Sequence, residues 1–377
     1  MPAAENNAEQ PPLVPDYQDR SQRAPRGASA VAVETGKKFT RGVDASVDFS
    51  ALIDYGLARW KRQDAGTPEP ADSRSRYLGE CFTKLEAYYN NSRKEGANTK
   101  TLKASLQDIN SGKNFRKIVC QKMGNGRSQA RSDDATELRK LVVSAHDGFK
   151  DCNACGWADD GCARLLKTRN TDLDDAELRQ QLTLKQTEVP HREMYAGLYA
   201  NQEFPINAID AMVGFMRSDQ FIAAAQTIFT GLGSAFGRPG SGTRSKAYSA
   251  EMTSFNAPAL AYVAMMLRFV LCAPGDWYVV PKGRNGRKDK RYDYDLFYVE
   301  LVTFLTKPVF SEDLQELLKA VNSEVFPNAH EHPQQITVPG GCSMAQLAEE
   351  AEIARAAQRA AARREAAEQE EEHWGNQ

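Results

Sequence analysis

The chain has 377 residues, 41% of them hydrophobic and 26% charged, with a formal net charge of −2. Such a length and composition suit a globular protein of two average domains, or one large domain with tails. A charge so close to zero creates no global field that would select nucleic acid or a membrane surface as partner, and no stretch reaches membrane-span length without a charge.

The first residues, MPAAENNAEQPPLVPDYQ, lack the basic and apolar regions of a secretion signal. Together with an odd number of cysteines, seven in all, this leads us to expect reduced thiols and a location in the nucleus or cytoplasm. Residues 1–42 are rich in Pro, Ala, Ser, Gly and charge, with little to bury, and predict a disordered tail. An N-terminal helical segment follows over 43–123. Phe49, Leu52, Ile53, Leu57 and Trp60 recur at helical spacing behind the capping residue Asp48, and DAGTPEPADS (64–73) breaks the pattern. Tyr77, Leu78, Cys81, Phe82, Leu85, Tyr88 and Tyr89 form a second stripe, and a third helix runs from about Asn98 to Ile109.

GNGRSQARSDD (124–134) reads as a linker whose Ser-Asp-Asp end caps a helix carrying Leu138, Leu141, Val142 and Ala145. It opens a helical core domain, 124–328. Past a Cys- and Gly-rich loop (147–162), helical patterns appear at 174–187, 205–217 and 219–230, and then a glycine-rich irregular connection at 231–245. NAPALAYVAMMLRFVL (256–271) is the strongest element: Asn256 caps it, Pro258 suits its first turn, and it is apolar on nearly every face. A helix of that kind must be surrounded by other helices. Trp277–Val280 reads as a short strand or extended piece, 282–291 as a basic loop, and 293–306 and 312–325 as closing helices, the last capped by Ser311. A linker (329–342) leads to a charged Ala-rich helix (343–377), which opens with the Ser343/Gln346 capping box and lacks a heptad seam, so that it is expected to stand exposed. The predicted class is therefore all-α: a multi-helix globular body with a buried central helix, a disordered N-terminal tail and an exposed C-terminal helix.

Several ordered pieces carry a resemblance: ARSDDATELRKLV (130–142), CARL (162–165), IFTGLGSAFG (228–237), Thr243-Arg244, MTSFNAPALAYVAMMLRFVL (252–271), LFYVELVTFL (296–305) and VFP (325–327). Over about 124–328 the chain resembles a family of uncharacterised proteins from mushroom-forming fungi, defined only as a domain of unknown function. The resemblance implies an intracellular helical fold in a basidiomycete-like host, and it implies no activity.

For chemistry, His146, Cys152, Cys155 and Cys162 stand in the spacing H-x5-C-x2-C-x6-C. Three thiolates and an imidazole suit one tetrahedral zinc ion, but the spacing matches no familiar finger, and three free thiols in a polar loop is the competing reading. No other cofactor is expected. Gly237 and Gly242 have phosphate-loop separation, but Thr243 stands where the lysine belongs and a helix precedes where a strand should. Asp133-Asp134, Asp159-Asp160 and Asp174-Asp175 are adjacent pairs, poor as catalytic dyads and good as helix caps. His191 has no partner motif, and there is neither a nucleophile elbow nor an H-E-x-x-H helix.

The segment KGRNGRKDKR carries Lys282, Arg284, Arg287, Lys288, Lys290 and Arg291 against the single acid Asp289, with Tyr278, Tyr292 and Tyr294 nearby. That composition suits phosphate contacts and base stacking, or a nuclear-import signal, or a solvated loop. A second basic run, Lys113, Arg116, Lys117, Lys122, Arg127 and Arg131, lies far away in sequence. The first functional reading is a non-enzymatic intracellular binding protein with a nucleic-acid or nuclear protein partner. A self-assembling helical subunit, such as a nucleoprotein or coat protein, and an enzyme without a recognisable signature are the alternatives.

Overall fold

The computed structural model describes residues 26–93, 100–108, 112–184, 193–205, 210–238, 245–250, 252–272 and 293–327. Among them the regular structure is helical, with two isolated β-bridges, Thr168–Tyr195 and Tyr199–Phe215. The basic segment 282–291, the extended piece at 277–280, His191, residues 239–244 and the C-terminal linker and helix lie outside the described residues.

The elements, in order, are α1 (Arg26–Gly42), α2 (Phe49–Asp64), α3 (Ser73–Asn91), α4 (Leu102–Leu106), α5 (Gly112–Val142), α6 (Asp160–Leu166) and α7 (Ala176–Thr183). They continue with α8 (Asp219–Phe229), α9 (Leu232–Ala235), α10 (Lys246–Ser249), α11 (Ala257–Leu271), α12 (Tyr294–Leu305) and α13 (Ser311–Val325). Short polar side chains start many of them. Asp48, Asp72, Asp159, Asp175, Ser218, Asn256 and Asp293 each accept a hydrogen bond from a first-turn N–H that has no partner within its helix. Helix α13 begins differently: Ser311 is its first residue, directly after a 3-10 turn at Pro308–Phe310.

Two hydrophobic cores form. The smaller joins α1–α4 to the first half of α5 through Phe39, Phe49, Leu52, Trp60, Phe82, Tyr89 and Met123. The larger is built around α11, in which Ala257 and every residue from Ala259 to Leu271 are buried, as the all-round apolar pattern requires. Helices α5, α6, α8 and α12 pack against it.

Helix α5 runs through both cores, and it corrects two readings of the sequence. Residues 124–134 are not a linker but the middle of a 31-residue helix, and residues 26–42 are not part of a disordered tail but helix α1, which lies along α5. The glycines are there for close approach, not for a turn. A Cβ on Gly126 would come 2.1 Å from the Val33 carbonyl oxygen, and one on Gly36 would come 2.2 Å from that of Met123. The buried face of α1 consists of small residues, Ala28, Val31, Ala32, Thr35 and Gly36, followed by Phe39. Small residues on both sides let the two backbones nearly touch.

A third difference concerns 205–217. The described part, 210–217, is a set of turns with Met216 at φ 52° instead of a helix. Of the longer helix expected over 98–109, Leu102–Leu106 form a short one capped by Thr101.

Candidate functional site

Three groups of residues offer chemistry: the thiol cluster, a cleft beside it in sequence, and the cationic face of α5.

The thiol cluster forms where α6 meets the loop before it. Asp159 is the N-cap of α6, its Oδ1 accepting the Cys162 N–H at 2.9 Å. Its Oδ2 accepts from the backbone N–H groups of Asn153 (3.0 Å) and Ala154 (3.2 Å), folding the loop back onto the helix. Gly161 completes the approach, since a Cβ there would stand 2.2 Å from the Asp151 carbonyl oxygen. Gly156, at φ 121°, turns the chain after Cys155 through a conformation that favours glycine. The result brings the sulfurs of Cys152 and Cys162 and a carboxylate oxygen of Asp159 within 4.8 Å of one another. Both of these cysteines are buried. The S–H of Cys162 has three acceptors in reach, the Ala154 carbonyl oxygen at 3.0 Å, the Cys152 sulfur and the Asp159 carboxylate. That thiol–thiol hydrogen bond lowers the pKa of Cys152 and, with burial, raises that of Cys162. Burial raises the pKa of Cys155 as well, against the pull of Arg139.

Of the four residues singled out by spacing, the structure thus unites Cys152 and Cys162 and adds Asp159, which sequence reasoning took for a cap alone. Cys155 packs half-buried against the larger core, outside that convergence. His146 has another task. Its Nδ1 accepts the Gly148 N–H at 3.0 Å, capping the 3-10 turn at Asp147–Phe149, and its ring meets Phe236 edge-on at 5.5 Å.

His146 also lines an open cleft of about 690 Å³ between α8, α9 and α13. Asp147, Arg217, Asp219, Gln226 and Glu324 contribute polar groups, and Ile222 and Phe236 apolar ones.

The third group lies on α5. Arg131 donates to Asp295 Oδ1 at 2.6 Å and to the Ala45 carbonyl oxygen at 2.7 Å, while Arg127 donates to the Val47 carbonyl oxygen at 2.8 Å and lies over the Phe49 ring. Burial, then repulsion from Arg131, holds the Arg127 pKa below its ordinary value, against the pull of Asp295, Asp44 and Asp48. Arg139 lies over the Phe269 ring at 5.8 Å, and Phe269 meets Tyr294 edge-on at 5.2 Å. The end of α11 and the start of α12 therefore adjoin one another beside the arginines of α5. Lys113 and Lys117, nearer the start of α5, are exposed, and Arg116 is paired with Asp54 at 2.5 Å.

No curated protein and no solved structure matches the chain. A family model does match, over residues 125–326, just over half of the chain. The match begins inside α5 and ends one residue past α13, so it takes in the larger core apart from Ala45, the thiol cluster and the cleft. The chain belongs to this family, the family of unknown function DUF6698.

Proposed function

We propose that the protein acts by binding, not by catalysis, and that its partner is a nucleic acid held through phosphates, in the nucleus or cytoplasm. One observation carries the reading: both roots of segment 273–292 adjoin, through Phe269 and Tyr294, beside Arg127, Arg131 and Arg139. Within that segment residues 282–291 hold six cations against one acid. A stretch with that excess of cations suits an anionic backbone, although the net charge of the chain is near zero. Tyr278 and Tyr292 belong to the same segment and offer stacking surfaces for bases.

The test is binding of the full chain to single-stranded and duplex nucleic acid across a salt series. The variant with Arg287, Lys288, Lys290 and Arg291 all changed to Gln is expected to bind more weakly. The slope of log affinity against log salt should flatten by about 0.7–0.9 for each phosphate that is no longer neutralised. Binding and slope both unchanged in the variant would refute the reading. Binding retained but nuclear accumulation abolished would assign the segment to import instead.

A further inference from the structure

We infer that Cys152, Cys162 and Asp159 form a zinc site. Its chemistry is independent of the phosphate-binding reading, and none of its ligands is among the residues that reading uses. Two sulfurs and a carboxylate oxygen already converge within 4.8 Å, so only a small closure is needed to place them around one ion. Thiolates select zinc over the hard cations magnesium and calcium, and a carboxylate is an ordinary companion ligand for it.

The donors are held as a ligand set needs to be. Asp159 and Cys162 belong to the first turn of one helix, and the contact of Gly161 with the 151–152 backbone fixes that turn against Cys152. Three backbone N–H groups grip the Asp159 carboxylate, two on Oδ2 and one on Oδ1, and the lone pair that meets the Cys162 thiol is released to a metal when that thiol loses its proton. Cys155 is the nearest remaining thiol in sequence for the fourth tetrahedral position. His146 is not a ligand, because its Nδ1 is engaged by Gly148 and its ring belongs to the cleft. On binding, Zn–S bonds form to Cys152, Cys162 and the Cys155 thiol that closes the site, one S–H proton passes to solvent for each bond formed, and nothing is oxidised or reduced.

The experiment uses the full chain, purified reduced and without chelators, then titrated with Zn²⁺ against a chromophoric competitor and, separately, with Co²⁺. About one equivalent should bind, and the Co²⁺ form should show a thiolate-to-metal charge-transfer band. His146→Ala should bind the same amount. Cys152→Ser and Cys162→Ser should each abolish stoichiometric binding, with far-UV circular dichroism confirming that the helices persist. Wild-type protein that takes up no Zn²⁺ overturns the proposal whatever the variants do. So does loss of the metal in a folded His146→Ala variant, or full retention in Cys162→Ser.

Discussion

Tyr262 in the middle of α11 donates its hydroxyl to Asp134 Oδ2 in α5, at 2.8 Å, with both residues fully buried. Arg41 at the end of α1 grips the same carboxylate through Nε at 2.8 Å and Nη2 at 3.0 Å, and Lys246 of α10 reaches Oδ1 at 2.7 Å. One carboxylate thus joins four helices, α1, α5, α10 and α11. Two of its neighbours, Arg41 and Tyr262, are buried with it, so the group is satisfied without water.

Removing the carboxylate should therefore be costly. Asp134→Ala leaves the Arg41 guanidinium buried without its counter-ion, and the expected loss is about 3–5 kcal/mol of unfolding free energy. Tyr262→Phe removes one hydrogen bond to a charged acceptor and should lose about 1.5–3 kcal/mol. Because the two residues touch, the double variant should lose less than the sum. Denaturant unfolding of the three proteins measures this. Strict additivity would show that Tyr262 and Asp134 are not energetically coupled.

The same network sets an acid limit. Burial opposes ionisation of Asp134, but Arg41 and Lys246 outweigh it by charge and hydrogen bonding, and the folded pKa lies below the ordinary value. In the unfolded chain it returns to about 3.9. The stabilisation is fully present above that pH and disappears as pH falls through the lower folded pKa. Stability measured from pH 6 down to about pH 2 should fall less steeply for Asp134→Asn than for wild type. Equal slopes would mean that other carboxylates govern the acid transition.

Gly126 and Gly36 give a prediction whose sign is opposite to helix propensity. Alanine favours a helix interior over glycine by about 0.8–1 kcal/mol. At these positions the new methyl would press on backbone carbonyls, at 2.1 Å from Val33 and 2.2 Å from Met123, and a backbone cannot rotate away as a side chain can. Forcing α1 off α5 should outweigh the propensity gain and leave Gly126→Ala destabilised by about 1–3 kcal/mol. Gly124→Ala, with open space around the added atom, should instead be stabilising. A stabilised Gly126→Ala protein would show that the two helices are not in backbone contact.

These glycines also explain where the sequence was legible and where it was not. Helix α11 could be read because its large apolar residues cover every face, and α2, α3, α12 and α13 because theirs form a stripe. Helix α1 hid because its buried face is made of Ala, Val, Thr and Gly, a composition shared with unstructured tails. In α5, Gly124-Asn125-Gly126 reads locally as a turn, and only the proximity of Val33, over ninety positions earlier, gives Gly126 its reason. Asp134 misled in the same way, as a plausible cap that is in fact the centre of an ionic network spread over more than two hundred residues of sequence. In the thiol cluster, spacing was enough to find Cys152 and Cys162. Asp159 was visible as a cap, but its second position beside the sulfurs depends on Gly161 touching the preceding loop. His146 stands six residues from Cys152, but sequence distance carries no direction.

Arg268 separates a requirement for charge from a requirement for shape. It is the one ionisable residue of the basic and acidic types in α11, and it is fully buried. Its Nη1 donates to the Glu193 carbonyl oxygen at 2.7 Å, and its guanidinium lies 5.3 Å from the Tyr195 ring centre and 5.2 Å from that of Phe297. Those contacts put the weakly hydrated guanidinium beside both rings while one edge hydrogen-bonds. Lysine keeps the charge but offers a compact, strongly hydrated ammonium that cannot stack and reach Glu193 at once. Arg268→Lys should therefore lose at least about 2 kcal/mol, the scale of a desolvated cation–π contact. Arg268→Met, which buries no charge, should unfold at a denaturant concentration no lower than that of Arg268→Lys. If Arg268→Lys matched wild type in chemical denaturation, charge alone would be what the site requires, and the contacts of the guanidinium with Tyr195 and Phe297 would be incidental.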